Sequence, residues 1–229
     1  MNKTRVMVVE DDPDIAAYER EVLHRAEFEV QIASSGTQAL ETAAQWSPEV
    51  VLLDVGLPDI SGLDVLTSLS NTSDAFILMV SAATGEDDIL KGLGLGADDY
   101  ITKPFSPGQL VARIQSFLRR RDRHQQQETE GRLTIGNATL VRDLHVLQNS
   151  DKTVPLTALE FRLLWYLGEG EGRLLTRAQI LEHVWNDVSG VPTRVVDVHV
   201  AALRKKLSEI GANLAIASVR GIGYRLDKS

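Results

Sequence analysis

Four short apolar runs end in residues that can do chemistry. Val6-Met7-Val8-Val9 leads into Glu10-Asp11-Asp12, and Val50-Val51-Leu52-Leu53 leads into Asp54 and the turn Val55-Gly56-Leu57-Pro58. Phe76-Ile77-Leu78-Met79-Val80 ends in Ser81, and Ile101-Thr102 runs into Lys103-Pro104. Apolar runs this short predict strands covered on both faces, as in parallel sheets. Open α/β sheets bind ligands beyond the carboxyl ends of their strands. If the four strands are parallel neighbours, one sheet edge carries several carboxylates, a hydroxyl and an ammonium. A lone strand-end Asp is more simply a helix cap, but four such ends together call for a chemical explanation.

Carboxylates about 4 Å apart repel by about 4 kcal/mol at an effective dielectric near 20, so they stay ionised together only with a cation among them. All-oxygen ligands without histidine suit a hard ion, Mg²⁺ before Ca²⁺, because there are too few carboxylates for a full Ca²⁺ cage. A partly hydrated Mg²⁺ beside an Asp and a Lys suits phosphoryl transfer, with cations on the phosphoryl oxygens and a carboxylate as nucleophile. Asp54, at the end of the central strand, is the candidate nucleophile.

The elements that must hold these residues are legible in the first half. Strand and helix patterns alternate five times, from Arg5–Val9 to a last helix over Ser106–Arg121, which predicts a doubly wound, five-stranded parallel sheet over residues 1–121. Residues 122–131 are polar and read as a solvated linker. Residues 132–229 change style. Short strands come first, then a helix opening at Thr157-Ala158-Leu159-Glu160 with a capping-box pattern, two more helices, and a terminal hairpin around Gly221 and Gly223. They predict a small α+β domain.

Composition narrows the function classes. The 229 residues are 43% hydrophobic, enough for packed cores, and contain no cysteine, which excludes disulfides and thiolate metal sites. No stretch approaches the roughly 18 apolar residues of a membrane span, and the first residues carry no signal-peptide pattern. The expected location is the cytoplasm, with no membrane partner. Residues 1–121 hold 10 Lys and Arg against 19 Asp and Glu, a net of −9, while residues 122–229 hold 14 against 13, a net of +1. This argues against nonspecific nucleic-acid binding but leaves room for a local basic surface. Such a surface is predicted from Arg194 to Arg225, with six basic residues against two acidic ones. In the helix Thr193–Ile210, Val196, Val200, Leu203 and Leu207 form a core stripe. Arg194, His199, Ala201, Ala202, Lys205 and Lys206 are read as lying largely off it, an arrangement suited to a DNA major groove.

Taken together, Glu10-Asp11-Asp12, Asp54 with Leu57-Pro58, Ser81-Ala82, Gly96-Ala97-Asp98-Asp99-Tyr100 and Lys103-Pro104-Phe105 resemble the receiver domain of response regulators. With the second half, the chain resembles the OmpR/PhoB family of transcription factors. The resemblance implies Asp54 as phospho-acceptor, and Glu10, Asp11 and Asp54 with the Gly56 carbonyl as Mg²⁺ ligands. It also implies Lys103 as the phosphoryl ion-pair partner behind a cis Lys103–Pro104 bond, and Ser81 and Tyr100 as a switch pair in which Tyr100 turns inward after phosphorylation.

For the fourth-helix, fifth-strand and fifth-helix face, the resemblance implies a two-fold dimer using Asp98, Asp99, Arg113 and Arg120. Ile89 and Gln109 stand where relatives carry a charged pair. In the second half, Arg194-x-Val-Asp197-Val198-His199, Leu203-Arg204 and Val219-Arg220-Gly221-x-Gly223-Tyr224-Arg225 match a winged helix-turn-helix. Arg194, His199, Arg204, Lys205, Ser218 and Arg220 become the candidate DNA contacts, with Ala201-Ala202 a departure where relatives often carry arginine. The implied partners are a sensor histidine kinase, double-stranded promoter DNA and RNA polymerase, the last through residues 182–192. The expected activity is transcriptional regulation, with no enzyme turnover beyond the receiver's own phosphorylation and dephosphorylation. Two alternatives are an interaction module without specific DNA and an aspartyl-phosphate hydrolase; the hydrolase lacks its second acid, since Gly56 occupies that place.

Overall fold

The structure is a computed structural model describing all residues except 1–2, 83–84, 128–130, 171, 186–190 and 229, and the side chains of 120–127. The chain divides into two units, Met1–His124 and Gln125–Ser229. In the first, β1 (Arg5–Val9), β2 (Glu29–Ala33), β3 (Val50–Asp54), β4 (Phe76–Ser81) and β5 (Asp99–Thr102) form a parallel sheet in the order β2-β1-β3-β4-β5. The apolar runs become its inner strands because both faces are covered. Val6, Val8, Val50, Leu52, Leu78 and Val80 share one buried cluster with Leu23, Leu110, Ile114 and Phe117. Strand alternation turns Met7, Val9, Val51, Leu53, Ile77 and Met79 to the other side, where they too are buried.

The helices follow from their caps and stripes. Asp12 caps α1 (Pro13–Arg25), its Oδ1 accepting from the Asp14 and Ile15 amides. Ser35 caps α2 (Gly36–Trp46), whose Gly36 and Thr37 amides also donate to the Asp59 carboxylate at 2.8 Å each. α3 (Gly62–Thr72), α4 (Glu86–Gly94) and α5 (Pro107–Gln127) complete the set. The last helix runs six residues past its predicted end, because Asp122-Arg123-His124-Gln125-Gln126-Gln127 contains no Gly or Pro to stop it.

Register aligns the chemistry. Val9 pairs with Leu53, Asp54 with Val80 and Ser81 with Thr102. Glu10, Asp54, Ser81 and Lys103 therefore emerge together at one sheet edge. The strand order reverses around β1 and β3, which leaves a crevice between their carboxyl ends.

In the second unit, β6 (Arg132–Ile135), β7 (Ala138–Val141), β8 (Val146–Asn149) and β9 (Lys152–Pro155) form an antiparallel sheet. α6 (Ala158–Glu169) opens on the expected capping box. α7 (Arg177–Trp185) and α8 (Arg194–Glu209) follow, and β10 (Leu175–Thr176), β11 (Leu214–Val219) and β12 (Gly223–Lys228) make a second antiparallel sheet. β9 and β10 escaped the sequence reading: one is polar, the other two residues long.

Gly62 sets the position of the Asp54 loop. Its amide donates to the Val55 carbonyl at 3.0 Å. A Cβ there would lie 2.1 Å from the Asp54 carbonyl oxygen and 2.8 Å from the Val55 Cα, both backbone atoms that cannot swing aside. Gly62→Ala is expected to cost about 1–3 kcal/mol by overpacking. Gly56→Ala, whose Cβ would meet nothing within 4 Å, should cost about 0.5 kcal/mol or less. Urea unfolding of the two variants tests the difference, and equal losses would contradict this account of the loop.

Candidate functional site

At the sheet edge the Lys103 ammonium donates to Glu10 Oε2 at 2.6 Å and to Asp54 Oδ2 at 2.9 Å. Asp54 Oδ1 accepts from the Val55 amide at 2.7 Å, with the Gly56 amide at the outer limit, 3.5 Å. Glu10 Oε1 accepts weakly from the Asp12 amide at 3.3 Å. Glu10, Asp11 and Asp54 each offer an oxygen within 4.8 Å of the others. The Lys103–Pro104 bond is cis, as expected.

Depth sets the electrostatics. Glu10 is buried, whereas Asp11 lies exposed at the mouth. Burial raises the Glu10 carboxyl above the ordinary range, outweighing the Lys103 hydrogen bond, while the Asp54 charge pushes the same way. Burial alone would lower Lys103. Its hydrogen bonds to Glu10 and Asp54 prevail and hold it above the usual lysine value, so it remains an ammonium. With all three acids ionised, three carboxylates against one ammonium leave a charge deficit of two. That deficit and the all-oxygen donor set fit a hard divalent cation.

Ser81 is buried at the end of β4, and its carbonyl accepts from the Lys103 amide at 2.8 Å. Its side chain is hydrogen-bonded to that of Tyr100. Burial raises the Tyr100 phenol, and the Ser81 bond opposes this. Tyr100 lies inward in this structure, 7% exposed. The ring lies against α4 at Gly92, where a Cβ would make ordinary contact with two ring carbons at 3.6 Å.

Of the expected dimer residues, two are buried within the protomer. Asp98 is buried, with Oδ2 accepting from the Ile77 amide at 2.8 Å. Asp99 is buried in a two-oxygen pair with Arg113 Nη1 of the same chain, at 2.9 and 2.7 Å. Both carboxylates are thus engaged within the protomer, because β5 turns them towards its own neighbours. Burial raises Asp99 to about 6 despite Arg113. Ile89 is half-buried and Gln109 exposed; the Arg120 side chain lies outside those described.

In the second unit, α8 buries the predicted stripe and more. His199 was expected on the DNA side but is only 2% exposed, its ring 5.3 Å from that of Trp185. It falls between Val196 and Leu203 on the inward face, which also buries Val195 and is two residues wider than the expected stripe. Trp185 is itself buried and offers no surface for a polymerase; residues 186–190 of that expected contact segment lie outside the described residues. Arg204 is turned onto β11, with Nε donating to the Ile216 carbonyl at 2.9 Å and Nη2 to Ser218 Oγ at 2.8 Å. Both Arg204 and Ser218 act as a brace for the wing. Arg194, Lys205 and Arg220 are exposed, as a DNA-contacting role requires.

Three features escaped the sequence reading. Arg177 Nε and the Tyr224 hydroxyl both donate to Asp197 Oδ1, at 2.8 and 2.6 Å, tying α7, α8 and β12 together. Lys206 Nζ donates to Glu160 Oε2 at 2.6 Å and to the Pro155 carbonyl at 2.8 Å, locking α8 to the capping box of α6. Glu19 lies on the buried face of α1 between Ala16 and Leu23, 1% exposed, with Oε1 lacking a hydrogen-bond partner. Its signal was available: position 19 falls on the same helical stripe as the core residue Leu23.

Known proteins resolve the class. Residues 6–115 match the model of the response regulator receiver domain, and residues 151–226 match that of the C-terminal domain of transcriptional regulatory proteins. PhoP of Bacillus subtilis, an alkaline phosphatase synthesis transcriptional regulatory protein, is 38% identical over 100% of this chain and 98% of its own length. RegX3 of Mycobacterium tuberculosis, a sensory transduction protein, is 38% identical over 98% of this chain and 99% of its own. Among solved structures, a RitR mutant superposes with a TM-score of 0.81 at 30% identity, covering 99% of this chain and 100% of that one. DrrB of Thermotoga maritima, an OmpR/PhoB homologue, gives 0.51 at 29% identity over 98% and 99%. The molecule is a two-component response regulator that acts in transcription. More narrowly, the chain belongs to the OmpR/PhoB family. Among the described residues, no helix is long and apolar enough to cross a membrane.

Burial raises Glu19 from 4.5 to about 7, helped by the Glu10 charge and opposed by Lys103. An acid whose folded pKa is raised binds its proton more tightly in the native state, so it favours folding most below 4.5 and loses that contribution as pH rises through 7. The loss amounts to about 3 kcal/mol at 1.36 kcal/mol per unit. Glu19→Gln should therefore flatten the fall in receiver stability between pH 5 and 8. Denaturant midpoints across that range test this, and an unchanged slope would contradict it.

Proposed function

We propose that Asp54 is the residue phosphorylated by a partner sensor histidine kinase, and that the modified receiver promotes binding of the winged-helix unit to promoter DNA. The observation that carries this reading is the Lys103 ammonium bonded to Glu10 and Asp54 at once, with Asp11 completing a three-carboxylate cluster. Such a pocket, buried at Glu10 and open at Asp11, presents an ammonium to a group that brings negative oxygens.

In this reading Asp54 is the nucleophile: its carboxylate oxygen forms the new bond to phosphorus while the donor's bond to phosphorus breaks. Lys103 then leaves Asp54 for a phosphoryl oxygen and keeps its hold on Glu10. Glu10, Asp11 and Asp54, with the Gly56 carbonyl, would hold Mg²⁺, which supplies neutralisation of the phosphoryl charge. The receiver's chemistry is confined to its own phosphorylation and hydrolysis.

The signal leaves through Ser81. A phosphoryl oxygen competes for its hydroxyl, and the hydroxyl can serve only if it gives up Tyr100. Tyr100 lies against Gly92 of α4, so the change in its hydrogen bonding is delivered to the α4–β5–α5 face. Homodimerisation through that face would use exposed Gln109 and half-buried Ile89. The Asp98 and Asp99 carboxylates stay inside each protomer as supports. In the second unit Arg194 and Lys205 on α8 and Arg220 on the wing contact the DNA backbone or its grooves. The link to RNA polymerase and a cytoplasmic location rest on family resemblance alone.

The test is phosphorylation by acetyl phosphate with Mg²⁺, followed by intact mass. Wild type should gain one phosphoryl group, Asp54→Asn none, and chelation of Mg²⁺ should prevent the gain. Labelling of the Asn variant at an undiminished rate would overturn the assignment.

A further inference from the structure

The polar side chains of α8 are unevenly deployed. On the flank towards the wing, Asp197 accepts from Arg177 and Tyr224, and Arg204 donates to the Ile216 carbonyl and Ser218. On the opposite flank Lys206 is committed to Glu160 and Pro155. His199 is buried. What remains on the exposed arc is Arg194, Val198, Ala201, Lys205, Ser208 and Glu209, which fall within about 100° of the circumference at 3.6 residues per turn. Val198 lies on that arc one turn from Arg194 and is 42% exposed, a β-branched apolar side chain with no core to cover.

Along the axis Arg194 and Lys205 bracket Val198 and Ala201, whose side chains carry only methyl groups. In a major groove, cytosine, adenine and guanine offer the helix hydrogen-bonding edges without a methyl, and thymine alone adds an apolar C5-methyl. Val198 and Ala201 cannot hydrogen-bond a base edge; they can only pack on it. Along the helix they are separated by about 4.5 Å, close to the 3.4 Å rise between successive bases of one strand. Arg194 and Lys205, about 16 Å apart, lie beyond either end of that pair, where phosphates flank a groove about 12 Å wide.

We infer that Val198 and Ala201 make the recognition helix a reader of thymine methyl groups on two adjacent base pairs, with its sequence preference carried by apolar packing instead of bidentate hydrogen bonds. This rests on the DNA-binding reading above and specifies the base class it selects.

The experiment starts by selecting duplexes from a randomised pool with the full chain, with and without acetyl phosphate. Equilibrium binding is then measured on a selected duplex in which each thymine is replaced in turn by deoxyuridine, which removes only the C5-methyl. Two adjacent thymines should each lose about fourfold in affinity, the worth of one buried methyl-sized group, while replacements elsewhere leave affinity unchanged. A cytosine at either position should bind poorly, and 5-methylcytosine should recover part of the loss. Val198→Ala is a surface change that should leave the unfolding midpoint intact and reduce the deoxyuridine penalty at one of the two positions. Selected sites that bind tightly yet tolerate every deoxyuridine, or that place unmethylated guanine or cytosine under the helix, overturn the inference and leave DNA binding standing. Sequence-independent binding overturns it in the same way. A chain that retains no duplex in either state overturns the DNA-binding reading itself, and this inference with it.

Discussion

One ammonium shared by two carboxylates sets the terms for the receiver. Lys103 reaches Glu10 from β1 and Asp54 from β3 although it follows β5, three strands away from β1 in the sheet. Without it, Glu10 would be a buried anion facing another, and removing one partner of a buried charge pair costs several kcal/mol because the other is left uncompensated. The arrangement tolerates no register slip. Moving β3 by one residue would turn Asp54 to the opposite face of the sheet and leave the lysine bonding a single acid. Because the inner strands are apolar on both faces, a slip that drew Asp54 in among them would bury its charge, so the core enforces the geometry of a site to which it contributes no polar atom.

This also explains how much could be read beforehand. The acidic pocket was legible because each of its members follows a short apolar run, and the parallel fold brings such run ends together whatever the loops do. The dimer and DNA residues were harder, because their roles depend on which way a side chain turns after its backbone is placed. His199 sits at the margin of the α8 stripe, and Trp185 on another helix decides that it is buried. Arg204 reads as a surface cation until β11 presents the Ile216 carbonyl. Asp99 and Arg113 are fourteen residues apart and carry complementary charges, equally suited to one protomer or two. Pattern reading follows contacts within an element well, and loses those that a second element completes.

Glu19 shows a different kind of surprise. A buried acid with an oxygen lacking a partner is a cost with no gain visible in packing. It lies where the Glu10, Asp54 and Lys103 charges all act on it. A neutral Glu19 leaves the pocket's charge to the three acids at its mouth and wall. An ionised one would add a fourth negative charge behind them and disfavour the arrival of a phosphoryl group. Burial, by raising Glu19, therefore lessens the repulsion that this acid would add behind the pocket.

The inward turn of so many α8 polar groups has a consequence for switching. DNA affinity is dominated by phosphate neutralisation, and each phosphate contact adds to the salt-sensitive part of binding. A helix whose Arg204 and Lys206 are spent on its own scaffold has few cations left for that purpose, which on the proposed reading keeps single-copy binding weak. Weak single-copy binding is what allows a distant phosphorylation site to matter. If one winged-helix unit held DNA tightly, joining two would change occupancy little. When each holds it loosely, the proposed pairing through the receivers would convert the second contact into an intramolecular event and raise avidity by orders of magnitude without altering the reading face. On this argument the cations folded into the scaffold of α8 and the shared lysine of the receiver serve the same end: one keeps the resting affinity low, and the other makes the site where that state is changed.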